Sequence, residues 1–129
     1  MIKMKLSQSV EDYLETICLL EKEKEKVRVN DIATHLEIRP PSVTGAMKKL
    51  AEKGFIRYER YGPVELTKMG RKVGMRTYEK HKLLVKFFVL LGVDRKTALR
   101  DACLAEHVLS RKTIERLKRF VEKKGNAKK

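Results

Sequence analysis

Between Arg39 and Leu66 the chain carries a run of breaks and periodicities that few folds accommodate. Arg39-Pro40-Pro41-Ser42 leads into a helical pattern that lasts to Lys53, Gly54 stops it, and two short alternating stretches follow, split by Gly62-Pro63. Proline is tolerated in a helix's first turn, where its missing N–H would have no intrahelical partner, so the Pro-Pro pair reads as a helix start. Val43, Met47 and Leu50 then recur at helical spacing from about Pro41 to Lys53, and Gly54 suits the left-handed residue that closes a helix. Phe55 to Tyr61 alternates as a strand would, and Val64-Glu65-Leu66 alternates back, which predicts a β-hairpin. Just upstream, Asn30 reads as an N-cap for a short helix, Asp31 to Leu36, that turns Ile32, Ala33 and Leu36 inward. Two helices, a tight turn and a hairpin in that order predict a winged helix-turn-helix with a two-stranded wing.

Helices flank this core on both sides. Val10, Tyr13, Leu14, Ile17 and Leu20 make an apolar stripe in a first helix expected from Ser7 to Lys26, with Ser7 or Ser9 as its cap and Glu21 to Lys26 as a solvated end. A long helix is expected from Thr67 to Leu91, broken by Gly92. Asp94 caps another to about Leu109, and Ser110 a last one to Lys124. The chain is thus mainly α, with a winged helix-turn-helix over residues 1–74, a helical domain over 75–124 and a disordered basic tail over 125–129.

Charge narrows the function. The formal net charge is +14 and the pI about 9.9, which favours a polyanionic partner. Residues 39–72, the turn, second helix and wing, hold nine basic and three acidic side chains. Ser42 and Thr44 fall at the front of the second helix with Pro41 as an apolar contact for thymine methyls, while Lys48, Lys49 and Arg60 suit phosphates, and Arg39 completes this DNA-facing set. No stretch approaches a membrane span of ~20 apolar residues, and Met1 to Leu6 lacks a secretory core, so the expected compartment is the cytoplasm, with no membrane partner. Cys18 and Cys103 are too few for a disulfide framework and read as reduced thiols, core or ligand.

A second constellation concerns metal. Cys103, Glu106 and His107 stand at i, i+3 and i+4, so on a helix thiolate, carboxylate and imidazole project from one face, a transition-metal donor set. Asp12 and Glu15 repeat the i, i+3 spacing on the first helix, on the side away from its stripe, and His81 lies among Leu83, Leu84 and Phe87 on the long one. Each has a plainer reading: Asp12 as a dipole-compensating acid, His81 as a satisfied core histidine, Cys103 as a small hydrophobe. A catalytic zinc site would need an open position and an aligned base beside a substrate pocket, and no such signature accompanies these residues; the chain is not expected to be an enzyme.

Glu11-Asp12-Tyr13-Leu14-Glu15, Asp31-Ile32-Ala33, Pro40-Pro41-Ser42-Val43-Thr44, Leu66-Thr67-x-x-Gly70, His81-Lys82-Leu83-Leu84 and Asp101-Ala102-Cys103-x-x-Glu106-His107-x-x-Ser110 together resemble the diphtheria toxin repressor family, over nearly the whole chain. The resemblance implies a homodimeric, metal-dependent transcriptional repressor of metal-homeostasis genes that binds a palindromic double-stranded DNA operator. It also implies a helical domain for metal binding and dimerisation, with the metal corepressor held between the two domains by Asp12, Glu15, His81, Cys103, Glu106 and His107. Fe(II) or Mn(II) is the expected ion, with Co(II), Ni(II) or Zn(II) able to substitute in vitro. The ligand set is a hybrid: Asp12 and Glu15 are like the manganese-responsive branch, Cys103 is like the iron-responsive one, and His81, Glu106 and His107 match both. Val85 and Leu99 stand where the iron branch has a glutamate and a histidine of its ancillary site, so that site is incomplete here. The alternative is a constitutive DNA-binding winged-helix protein whose metal site is structural or unused.

Overall fold

A computed structural model of the chain describes the backbone of residues 2–127 and the side chains of residues 10–125. It divides into two compact units, Met1–Arg76 and Thr77–Lys129.

In the first unit, α1 spans Ile2–Glu21, α2 Val29–Leu36 and α3 Pro40–Glu52; strands β1 (Ile56–Tyr58) and β2 (Val64–Leu66) follow, and α4 (Lys68–Leu90) begins. The expected winged helix-turn-helix is present, with three differences at its edges. The helix α1 begins at Ile2 rather than at Ser7 and ends at Glu21, so the alternating charges beyond it lie outside the helix. The side chains of Ser7 and Ser9 fall outside the described ones. The N-cap of α2 is Arg28, not Asn30, because the Asp31 carboxylate reaches back to accept the Arg28 N–H at 2.9 Å, half of a capping box. Lys24 meets the other Asp31 oxygen at 3.0 Å. Burial would raise the Asp31 pKa, but the Arg28 N–H and the Lys24 ammonium together hold it below the ordinary carboxylate value.

The turn into α3 uses Glu37 at φ 57, a left-handed residue without a glycine. Ile38 N donates to Ala33 O at 3.0 Å across it, which satisfies a carbonyl that the end of α2 would orphan. Arg39 is the N-cap of α3 and Pro40 opens it. The hairpin pairs Ile56 with Leu66, Arg57 with Glu65 and Tyr58 with Val64, and Val64 N also donates to Val27 O at 2.7 Å. Ile17, Leu20, Val27, Ile32, Val43, Met47, Leu50, Ile56 and Val64 form one core with Leu14 and Ala33. Leu14, Ile17, Leu20, Ile32, Ala33, Val43, Met47 and Leu50 are positions that the helical periodicity points inward. Val10, Tyr13 and Leu36, expected with them, are only partly buried, and Val27 joins the core from outside any helical stripe.

Two contacts seat α4 in this unit. Thr67 Oγ1 donates between Gly54 O (2.7 Å) and Phe55 O (3.0 Å) and accepts from Gly70 N at 3.2 Å, pinning the base of the hairpin. Gly74 faces α1, where an added Cβ would stand 2.6 Å from both Cys18 Sγ and Leu14 O. Cys18 is therefore a packing residue, and burial raises its thiol pKa.

In the second unit α4 continues to Leu90, Gly92 turns the chain at φ 98, and α5 (Arg95–Ala105) and α6 (Arg111–Ala127) follow. The Asp94 carboxylate caps α5 by accepting from Thr97 N at 3.0 Å, and the Ser110 hydroxyl caps α6 by accepting from Thr113 N at 3.2 Å. The helix α5 stops at Ala105, short of Leu109, as Val108 N turns back to Ala105 O at 3.1 Å. The helix α6 continues past Lys124 through Ala127, where a disordered tail is the sequence expectation; Lys128 and Lys129 lie outside the described residues. Leu84, Val85, Ala98 and Ala102 are buried here, with Phe88, Ile114 and Leu117 packed against them.

Candidate functional site

Within the second unit, α4 and the end of α5 bring four of the six candidate metal ligands together. His81 Nδ1 lies 3.0 Å from Glu106 Oε2, and Cys103 Sγ lies 3.9 Å from the same ring nitrogen. His107 Nε2 stands 3.3 Å from Glu106 Oε1. Cys103 is in the last turn of α5, but Glu106 is its C-cap and His107 lies in the turn beyond, so the three do not share one uninterrupted helix face. They still converge, because Glu106 keeps right-handed helical angles (φ −58, ψ −24) and its N–H still donates to Ala102 O.

The electrostatics are those of a site built around a buried acid. Glu106 is 1% exposed, and burying a carboxylate is expensive unless cations and donors surround it. Its Oε1 accepts no hydrogen bond among the described residues, even though His107 stands close. Hydrogen bonds to Cys103 and then to Glu106 push the His81 pKa up to about 10, against the opposing effect of burial. Two imidazoles, a thiol and a buried carboxylate with an unsatisfied oxygen are a borderline-soft donor set suited to a divalent transition metal. The residues present fit such an ion.

Asp12 and Glu15 belong to the first unit, one turn apart on α1. Glu15 is 8% exposed and Asp12 half-buried, each with an interaction already in place. Residues 14–18 are buried without a break, so this stretch of α1 has no simple stripe and solvent side.

The candidate DNA-facing residues all lie in the first unit. Pro41, Thr44 and Lys48, spaced three and four apart on α3, line one wall of an open groove of about 690 Å³, and Arg60 on the wing lines another. Ser42 and Lys49 are exposed on the neighbouring face of α3 and Arg39 is exposed at its N-cap, outside that lining. Arg28 and Tyr61, which the sequence reading passes over, also line the groove. Tyr61 holds φ 66 at the wing tip and is 82% exposed. Its carbonyl accepts from Arg28 Nη1 at 3.1 Å, and the Arg60 guanidinium sits 5.1 Å from the centre of its ring. No periodicity announces a side chain at a loop tip; the only sequence signal was a tyrosine next to Gly-Pro.

Comparison with known proteins agrees with both halves of this description. Residues 5–64 match the family model described as iron dependent repressor, N-terminal DNA binding domain, and residues 67–125 match its metal binding and dimerisation domain. An uncharacterized HTH-type transcriptional regulator of Methanocaldococcus jannaschii is 43% identical over 120 residues, covering 92% of this chain and 96% of its own. The HTH-type transcriptional regulator MntR of Bacillus subtilis is 40% identical over 114 residues, covering 88% and 80%. Among solved structures, a manganese-dependent transcriptional repressor in complex with manganese superposes with a TM-score of 0.81 at 26% identity over 88% of this chain. The manganese regulator SloR does so at 0.78 and 29% over the same share. The chain spans about half the length of those two structures, 52% and 53%.

Proposed function

The chain belongs to the iron dependent repressor family, in both its DNA-binding and its metal-binding and dimerisation parts, and on that footing we propose that it represses metal-homeostasis genes with Fe(II) or Mn(II) as corepressor. Members of this family are transcriptional regulators rather than enzymes. The reading places the protein in the cytoplasm as a homodimer on a palindromic operator.

The observation that carries it is the buried Glu106 carboxylate, with an unsatisfied oxygen, set among His81, Cys103 and His107. The ligand set we propose is those four residues with Asp12 and Glu15. A divalent ion, when bound, would supply a fixed positive charge to these donors in place of the proton on His81. Glu106 contributes a fixed carboxylate that needs no reorganisation, since α5 and its cap already hold it. To serve as a ligand His81 would have to release the proton that Glu106 and Cys103 stabilise on it, which would make loading pH-dependent. Cys103, exposed at the edge of the cluster, contributes a soft donor and biases the ranking away from a purely oxygen-loving ion.

On the DNA side, Ser42 and Thr44 with Pro41 read base edges, and Arg39, Lys48, Lys49 and Arg60 hold phosphates. Metal and operator affinities are reciprocal: the factor that one gains on binding the other is the same in both directions, typically ~5–150-fold. Fluorescence anisotropy with an operator selected from a randomised pool tests this. Affinity is expected to fall by a factor in that range when a chelator removes the metal. Equal affinity with and without chelator leaves the constitutive reading in its place.

A further inference from the structure

The most basic part of the molecule is not the one that carries the helix-turn-helix. Residues 77–129 hold 15 lysines and arginines against six acidic residues, a net +9, whereas residues 1–76 hold 16 against 11, a net +5. Much of the excess sits on α6, where seven basic residues meet two acidic ones.

The charges on α6 are ordered. Ile114, Leu117 and the buried Val121 define its inner seam. Lys112, Arg116, Arg119 and Lys123 follow one another at steps of four, three and four, which on an α-helix confines them to an arc of about 60°. That arc lies opposite the seam, and all four side chains are exposed. Among the described residues none of the four has an acidic partner. Glu115 and Glu122 lie to one side of the stripe, and Glu115 faces Arg111 at 3.7 Å. On the other side Lys124 rests over the Phe120 ring, 5.8 Å from its centre.

A face selected only for solubility mixes its signs, and this chain shows such a face at Glu21 to Lys26, where three acids alternate with three lysines. The α6 stripe has no acid within it. Four cations over a rise of about 16 Å match a length in which one strand of duplex DNA presents roughly five phosphates. We propose that the Lys112–Arg116–Arg119–Lys123 face of α6 is a second, sequence-independent contact for the duplex DNA backbone, separate from the helix-turn-helix. This rests on the reading of the protein as a DNA-binding regulator, since a chain already held on DNA meets flanking backbone at high local concentration. The stripe contains no candidate metal ligand and no base-reading side chain, so it acts with or without metal and on any sequence.

The test uses the full chain, chelated, on a long duplex that lacks the operator. It compares the wild type with the K112Q/R116Q/R119Q/K123Q variant and with a control that removes four charges elsewhere on the exposed surface, outside the helix-turn-helix and wing, K26Q/K86Q/K96Q/R100Q. Circular dichroism and sedimentation establish first that each variant keeps its fold and assembly. The slope of log affinity against log salt is expected to fall by about 3–4 for the α6 variant. The wild type should therefore lose about two orders of magnitude more affinity than that variant between 50 and 200 mM salt, while the control moves by less than one slope unit. An unchanged slope in the α6 variant, or an equal fall in the control, overturns the proposal. So does a loss confined to single-stranded RNA or to vesicles of anionic phospholipid with duplex DNA unaffected. Metal-dependent operator binding is a separate arm: its absence would count against the regulatory reading and leave the α6 result to stand on its own.

Discussion

The two units of this molecule solve the problem of burial in opposite ways. The first closes a core of eleven buried residues, drawn from three helices, both strands and Val27 between α1 and α2. The apolar cluster of the second holds four buried residues, two of them alanines, with Val121 buried apart from it, and Val89, Leu91, Leu99, Leu104, Val108 and Phe120 are left exposed. Exposed single apolar residues are ordinary, but several large ones on a unit of some fifty residues leave its burial unfinished. The first unit exposes large apolar side chains as well, at Ile38, Tyr61 and Met69, but it sets them against a much larger core. The family model gives that second part the name of a dimerisation domain, which accounts for the difference.

The comparison is broken most forcefully in the cores. Ile32→Ala, at a fully buried site of the first unit, is expected to cost about 3–4 kcal/mol whatever the protein concentration. Leu84→Ala, in the smaller core, should cost a similar amount, but the transition it lowers should itself fall on dilution, as the assembly that supports that unit dissociates. Thermal melts over a hundredfold range of concentration distinguish the two. Identical concentration dependence in both variants would mean that the units do not differ in this way.

A smaller effect is expected at the surface. Leu104 and Val108 are 60% and 58% exposed and one turn apart. Leu104→Glu should raise the dimer dissociation constant about tenfold or more, since a charge would be buried without a partner. Analytical ultracentrifugation reads this directly. A dimer that tolerates Leu104→Glu would move the seam elsewhere on the unit.

The smallest expected effect sharpens the comparison from the first unit's side. Asp31→Ala removes the reach-back cap of α2 and should cost about 1 kcal/mol at neutral pH. Because the folded-state pKa of Asp31 lies below its ordinary value, its contribution is present above the unfolded carboxyl pKa and is lost as pH falls through the folded one. The stability gap between wild type and variant should therefore narrow below about pH 4. Denaturant titrations at pH 7 and at pH 3 check the sign.

What could be read from the chain alone follows the same division between local and non-local causes. The helix-turn-helix and wing were legible because Pro40-Pro41, Gly54 and Gly62-Pro63 are local signals, and because Val43, Met47 and Leu50 repeat at a period that only a helix satisfies. The N-cap of α2 was not, since Arg28 is no usual capping residue and the side chain that caps comes from Asp31, three residues later. The left-handed Glu37 was not either, because its cost of roughly 1 kcal/mol is offset by hydrogen bonds that bring no glycine into the sequence. For the candidate site, the spacing of Cys103, Glu106 and His107 told that they could meet. It could not tell that α5 would stop at Ala105, or that Glu106 would be sealed from solvent with one oxygen unsatisfied.

The Thr67 clasp has a consequence for how this molecule can change over time. One threonine binds the carbonyls of Gly54 and Phe55 on one side and the N–H of Gly70 on the other, so the segment from Ile56 to Leu66 leaves and re-enters the unit at nearly the same point. A loop whose ends are pinned can gain or lose residues at its tip for a small entropic cost, only ~0.6 kcal/mol per doubling of length, without moving the helices on either side. Residues 59–63 can therefore change in length while α3 and the start of α4 stay where they are, with the Arg60 and Tyr61 contacts of the wing tip as the part that such a change would rewrite.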